Sequence, residues 1–257
     1  MRCFHLTLTF FVIGIYLYAG NLSIADTTIF QSNTEHKKNI FNARGSKFII
    51  PTAFISYGVV RQVSKPLRQF DKDIDKEVRK HVTKHRGFDS YLPAVSMIAV
   101  YGLDGMGVKA KNNFRDRTFV AITSHVFMFA TVQSVKKATG VERPDGSNML
   151  SFPSGHTAVS FTGAHILFKE YKHVSPWIGV VGYAAATTVG TMRVLNRRHW
   201  ASDVVAGAGV GILSAEIGYM LLPVFRKIIG AEQSKSNLVI MPVVGNNLYG
   251  LGMACVF

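Results

Sequence analysis

Apolar residues fall into blocks along this chain, and the blocks predict helices. A first run, Phe4 to Ala19, follows Met-Arg and is dominated by Leu, Phe, Ile and Tyr. Six more follow: Phe48–Val60, Tyr91–Val108, Thr118–Val135, His156–Phe168, Trp177–Val194 and Val204–Leu222. Each is rich in Ala, Gly, Val, Ile and Met. Most are shorter than the ~20 residues that comfortably cross a bilayer. Short tilted membrane helices and the buried helices of a compact bundle therefore both fit. Gly207, Gly209 and Gly211 suit close helix packing in either setting. The expected fold is all-α: a membrane-associated bundle of about six apolar helices.

The segments between the blocks refine this picture. Ser23-Ile24-Ala25 is placed like a signal-peptidase site, so residues 1–25 read as a signal peptide or an N-terminal anchor. Residues 26–47 are a polar linker, 48–228 the helical core and 229–257 a tail. Within the core, Leu67, Phe70, Ile74 and Val78 recur at helical spacing among Lys, Arg, Asp and Glu. Lys65–Arg86 thus reads as an amphipathic helix, lying on an anionic membrane surface or capping the bundle. In the tail, two apolar runs flank Gly245-Asn246-Asn247, which predicts a short β-hairpin.

Composition narrows the partners. The formal net charge is +14 and the pI about 9.9, with 48% hydrophobic residues, 17% charged residues and a mean hydropathy of +0.20. A basic chain favours anionic partners. No zinc-finger, RNA-binding-sheet or basic-zipper pattern is present, so lipid or phosphate is favoured over nucleic acid. Cys3 and Cys255 say little about redox compartment.

Three polar clusters carry candidate chemistry. Lys136 and Arg143-Pro144 are seven positions apart, so both cations can reach one oxyanion. Pro153-Ser154-Gly155-His156 directly precedes an apolar block. It predicts a loop feeding a helix N-terminus, with Ser154 as the cap, free N–H groups aimed at an anion and His156 in the first turn. Arg193, His199 and Asp203 form the third cluster. A helix would put His199 and Asp203 on one face, where a carboxylate bonded to one ring nitrogen activates the other. Lys136, His156, Arg193 and Asp203 all sit at or beside block ends that emerge on one side of an up-down bundle.

Lys-x6-Arg-Pro, Pro-Ser-Gly-His and Arg-x5-His-x3-Asp, in that order, resemble the signature of the type 2 phosphatidic acid phosphatase superfamily. That group includes lipid phosphate phosphatases, bacterial acid phosphatases and vanadium haloperoxidases. The resemblance covers roughly residues 48 to 222. It implies a helical core and hydrolysis of phosphomonoesters or pyrophosphates without metal or other cofactor. It also implies roles: His199 as nucleophile forming a phosphohistidine, His156 as acid for the leaving oxygen, and Asp203 orienting His199. Lys136, Arg143, Ser154, Gly155 and Arg193 would hold the phosphoryl oxygens. The third motif usually begins Ser-Arg; here Met192 precedes Arg193, with Thr191 beside it.

Other residues read as structure. His125 is expected to be hydrogen-bonded within its helix, His165 to pack away from His156, and His81 and His85 to be solvated. Asp104 and Glu216 fall far from the converging ends. A membrane-embedded phosphatase acting on lipid A, polyprenyl pyrophosphate or phosphatidylglycerol phosphate is the leading expectation. A soluble periplasmic acid phosphatase and a non-enzymatic lipid-binding protein are the alternatives. The expected location is the bacterial inner membrane with a periplasmic active face, with Phe48–Val60 not crossing.

Overall fold

The structure is a computed structural model that describes residues 45–82, 92–229, 237–245 and 248–256. The leader expected at residues 1–25 lies outside these residues, as do His85 and Arg86. Seven α-helices are present among them: α1 (Ile49–Val63), α2 (Lys65–His81), α3 (Val95–Gly105), α4 (Phe114–Thr139), α5 (Gly155–Tyr171), α6 (Pro176–Leu195) and α7 (Ala201–Ile228). The tail is an antiparallel hairpin of β1 (Asn237–Gly245) and β2 (Leu248–Val256), with Gly245 opposite Leu248.

Local chemistry sets the helix ends. Asn113 caps α4 by accepting from the Asp116 N–H at 2.9 Å, and Gly140 ends it in the left-handed region at φ 54°. Pro176 opens α6 where its missing N–H costs nothing. The charged flanks of the blocks join their helices. α4, α6 and α7 therefore reach 26, 20 and 28 residues, long and apolar enough to cross a membrane. The protein is a membrane protein.

α5 is the central helix. It packs on α4, α6 and α7, while α1 lies along α7. Phe161, Ala164 and Phe168 of α5 meet Tyr183, Ala186, Ala208 and Ile212 in one core cluster. Small residues bring α5 and α7 together at the end where the motifs lie. A Cβ on Gly207 would stand 2.5 Å from the Ser154 carbonyl oxygen, and backbone cannot swing aside. Gly207→Ala is therefore expected to destabilise the fold by about 1–3 kcal/mol. A lowered Tm in detergent, larger than for Gly102→Ala on an open face, is the check.

Several polar side chains within the bundle are paired, as a low-dielectric setting favours. The Tyr183 hydroxyl donates to His165 Nδ1 at 2.6 Å, and His165 Nε2 donates to Glu216 at 2.7 Å. Lys169 completes the group at 2.8 Å from Glu216. Glu170 accepts from Asn112 and Tyr219, and Arg226 pairs with Asp116. His165 thus does more than pack. His125 bonds the Ala121 carbonyl of its own helix, as expected.

These groups mark the end of the bundle opposite the motifs. α1 packs along the first half of α7: Lys47, just before it, reaches Glu216, midway along α7, at 3.5 Å, and Arg61, in its last turn, pairs with Asp71.

Candidate active site

Two loops and three helix ends meet at the motif end. α4 delivers Lys136 one turn before its cap. The loop from Val141 to Ser151 turns at Gly146 (φ 72°) and is closed by the Ser151 N–H donating to the Val141 carbonyl at 2.8 Å. This loop holds Arg143. α5 begins at Gly155, with His156 second and Ser154 as N-cap. α6 ends just after Arg193, and a short turn carries His199 to the start of α7. Ser154 N–H donates to the Asp203 carbonyl at 3.0 Å, tying the starts of α5 and α7 together.

Ser154 occupies its expected cap position, but its hydroxyl pairs with the Thr157 hydroxyl at 2.9 Å rather than with the backbone. Its cap position adds no acceptor for the first-turn N–H groups, which suits an anion there. Lys136 Nζ donates to the Leu150 carbonyl and, at 3.4 Å, to that of Ser151. Arg143 Nε is buried without a hydrogen-bond partner among the described residues. Burial, and then the Arg193 guanidinium, hold the Arg143 pKa below its ordinary value. Cations that repel one another at a partly buried site are arranged for an anion.

His199 is 2% exposed and stands outside any helix. The expected single helical face for His199 and Asp203 is not how they meet. α7 starts at Ala201, and Asp203 in its first turn folds back to accept from the Trp200 N–H at 3.0 Å. His199 Nδ1 lies 3.8 Å from Asp203 Oδ2, beyond hydrogen-bond range. It is 2.7 Å from the Ser151 carbonyl oxygen. A carbonyl only accepts, so Nδ1 carries the proton and Nε2 the lone pair. Asp203 acts on the ring through its charge, while its Oδ2 accepts from the Ser151 hydroxyl.

Ser151 is thus a site residue that the motifs missed. Its carbonyl sets the His199 tautomer and its hydroxyl anchors Asp203. It directly precedes the Phe-Pro-Ser-Gly-His run, but nothing in its residue type distinguishes it from a loop serine. The hydroxyl absent at Met192 has this counterpart beside Asp203. Asp104 and Glu216 lie at the opposite end, away from the site. No group of three His, Cys, Asp or Glu among the described residues is placed to hold a metal.

Burial pushes the His199 pKa down to about 4, and the Asp203 carboxylate opposes that shift. The ring is therefore neutral, with a free lone pair, at every pH above about 5. Protonation removes the lone pair, so activity carried by His199 is lost only as pH falls through about 4. The acid limb of kcat/KM is expected there once the substrate's own second ionisation near pH ~6 is allowed for. A limb at the ordinary histidine value of about 6.5 would contradict this.

The helical bundle thus gathers a buried histidine, a buried carboxylate and three cations at one end. Residues 128–227, the segment bearing most of the three motifs' helices, match the PAP2 superfamily model. Over 138 residues the chain is 38% identical to the lipid A 1-phosphatase of Porphyromonas gingivalis, covering 53% of this chain and 31% of that protein. It is 34% identical over 95 residues to the bacitracin transport permease protein BcrC of Bacillus licheniformis, covering 37% of this chain and 42% of that one. The chain thus spans less than half the length of either relative. Aquifex aeolicus LpxE superposes with a TM-score of 0.43 at 20% identity, covering 56% of this chain and 93% of that one. The PAP2-type phosphatidylglycerolphosphate phosphatase of Bacillus subtilis gives 0.43 at 15% identity, covering 72% and 98%.

Proposed function

We propose that this protein is a lipid phosphatase that works through a phosphohistidine, with lipid A as its substrate. The observation that carries the reading is the neutral, tautomer-fixed His199 set beside Asp203 among Lys136, Arg143 and Arg193. The His199 Nε2 lone pair attacks phosphorus, and the bond from phosphorus to the lipid oxygen breaks. His156 gives its proton to that oxygen. Water then attacks the phosphohistidine, His156 takes a proton from it, and inorganic phosphate leaves with His199 restored. Lys136, Arg143, Arg193 and the first-turn N–H groups that begin at Gly155, after the Ser154 cap, neutralise the equatorial oxygens. Asp203 stabilises the charge that His199 acquires.

Two features support a lipid. One is the 38% identity to a lipid A 1-phosphatase over 138 residues. The other is an apolar cavity of about 120 Å³ lined by Ile55, Val59, Phe127, Val135, Phe152 and Pro153. Val135 and Pro153 adjoin Lys136 and Ser154, so an acyl chain there would continue from a phosphate in the site. A phosphate-release screen over lipid A, polyprenyl pyrophosphate, phosphatidylglycerol phosphate and a soluble aryl phosphate tests the substrate. Faster turnover of lipid A supports the reading. Preference for the aryl phosphate, with recovery in a detergent-free soluble fraction, would favour a soluble acid phosphatase.

The active face is proposed to be periplasmic, in the inner membrane. Lys109, Lys111, Arg115, Lys169, Lys172, Arg226 and Lys227 all lie toward the other end, where cytoplasmic loops carry Lys and Arg. Lys47 shares Glu216 with Lys169, so this reading also puts Lys47 on the inner side, and not outside as a cleaved leader would. Accessibility of single cysteines at positions 47 and 145 to an impermeant thiol reagent in intact cells distinguishes the two. Labelling at 47 alone would reverse the assignment.

A further inference from the structure

The stripe of α2 that carries Leu67, Ile74 and Val78 also carries Asp71 and Asp75, and it faces into the protein. The two carboxylates are 1% and 8% exposed. Acids on the buried face of an amphipathic helix are costly unless paired. Arg61 of α1 and Arg79 of α2 itself, 2.8 Å from Asp75, supply part of the pairing, and the other partners flank His199.

Asp71 accepts from the Ser202 N–H at 3.2 Å, from the Ser202 hydroxyl, and from Arg61 Nε at 2.6 Å. The Arg61 guanidinium lies 5.1 Å from the Trp200 ring centroid. One turn along, Asp75 accepts from Arg197 Nε at 2.7 Å. Arg197 has φ 55°, a left-handed conformation that costs a non-glycine residue and persists where its surroundings enforce it. Two bonds enforce it here: the one to Asp75 and one from Nη2 to the Pro144 carbonyl at 2.6 Å. His199 stands two residues after Arg197 and three before Ser202. α2 therefore grips the nucleophile turn on both flanks.

We propose that Asp71 and Asp75 are positioning residues, and that α2 is a latch fixing the His199 turn for in-line attack. The inference rests on the reading of His199 as nucleophile. Holding the turn matters because attack demands a narrow geometry, and a shift of about 1 Å can cost ~100-fold in rate. The α2 cations Lys65, Arg68, Lys72, Lys76 and Lys80 are left outward, so the latch does not occupy the face that would meet anionic lipid.

Asp71→Asn, Asp75→Asn and Ser202→Ala are the test, measured with lipid A in detergent micelles and with inorganic phosphate and orthovanadate as inhibitors. Ser202→Ala removes only a hydroxyl and leaves the Arg61–Asp71 pair, so it decides the matter if Asp71→Asn does not fold. Phosphate reports on the cation cradle. Vanadate bonded to the nucleophile mimics the transition state and reports on where His199 stands. Expected are a fall in kcat of about 10- to 100-fold with KM within about twofold, and vanadate inhibition weakened by a similar factor while phosphate inhibition holds. Folded variants with wild-type kcat overturn the latch, as does equal weakening of vanadate and phosphate, the mark of general loosening. His199→Ala runs in parallel. Its retained activity would sink the nucleophile and the latch together, whereas an inactive His199→Ala beside wild-type Asp71→Asn and Ser202→Ala sinks the latch alone.

Discussion

His199→Ala is expected to lower lipid phosphate hydrolysis by about 10⁵-fold or more, the loss typical of removing a covalent nucleophile. The fold should survive. The side chain makes one hydrogen bond, to the Ser151 carbonyl, and that carbonyl keeps Lys136 as a second donor. The measurement is single-turnover phosphate release with trapping of the phosphoenzyme in an alkaline denaturing quench. Wild type should show a phosphohistidine that is lost in acid and kept in alkali; the variant should show none. His156→Ala should behave differently. An acid is needed only where the leaving oxygen is a poor leaving group. That variant should therefore lose lipid A hydrolysis far more than hydrolysis of a nitrophenyl phosphate. Equal losses on both substrates would remove His156 from the role of acid.

How legible was this site in the sequence? The apolar blocks predicted six of the seven helices, because burial on a helical period writes itself into residue order. The charged stretch Lys65–Arg86 yielded the seventh. The three motifs yielded Lys136, Arg143, His156, Arg193, His199 and Asp203, because their residue types are rare beside apolar blocks. Their placement at one end followed from helix direction alone. What could not be read was how the turn before α7 folds. A spacing of four fits a helix, yet the cap begins one residue after His199, so the ring turns to Ser151 and away from Asp203. Nor could the partners of Asp71 and Asp75 be read. They lie more than 120 residues away from Arg197 and Ser202, and no local pattern marks a contact of that range. Their signal was present but faint: two acids four apart beside a stripe otherwise apolar.

The two ends of the bundle show how structural charge differs from charge kept for a ligand. At the far end, Lys169, Arg117 and Arg226 each meet a carboxylate, at 2.8 Å, 2.8 Å and 2.7 Å. Such pairs neutralise the bundle where nothing need bind. At the motif end the acids are engaged elsewhere. Asp71 and Asp75 bond the residues flanking His199, Asp203 accepts from the Trp200 N–H and the Ser151 hydroxyl, and Asp145 pairs with Arg198 at 3.1 Å. Among the described residues, Lys136 donates only to carbonyls.

Arg143 is where this division has its largest expected consequence after His199, the proposed nucleophile. Its Nε is buried and unbonded, and its charge is raised in energy by burial and by Arg193. A phosphoryl group would relieve both, and more strongly as charge builds on the equatorial oxygens in the transition state. Arg143→Ala is therefore expected to reduce kcat/KM by about 10³-fold, roughly 4 kcal/mol of transition-state stabilisation. Arg143→Lys keeps the charge but loses the planar fork, and should recover only part of it, leaving a deficit of about 10- to 100-fold. Because removing one cation relieves its neighbours, the folded variant should be no less stable to heat than wild type. Isothermal titration with inorganic phosphate and a thermal melt in the same detergent check both halves. Phosphate affinity unchanged in Arg143→Ala would take Arg143 out of the site; a lowered Tm would make it a structural arginine like Arg117.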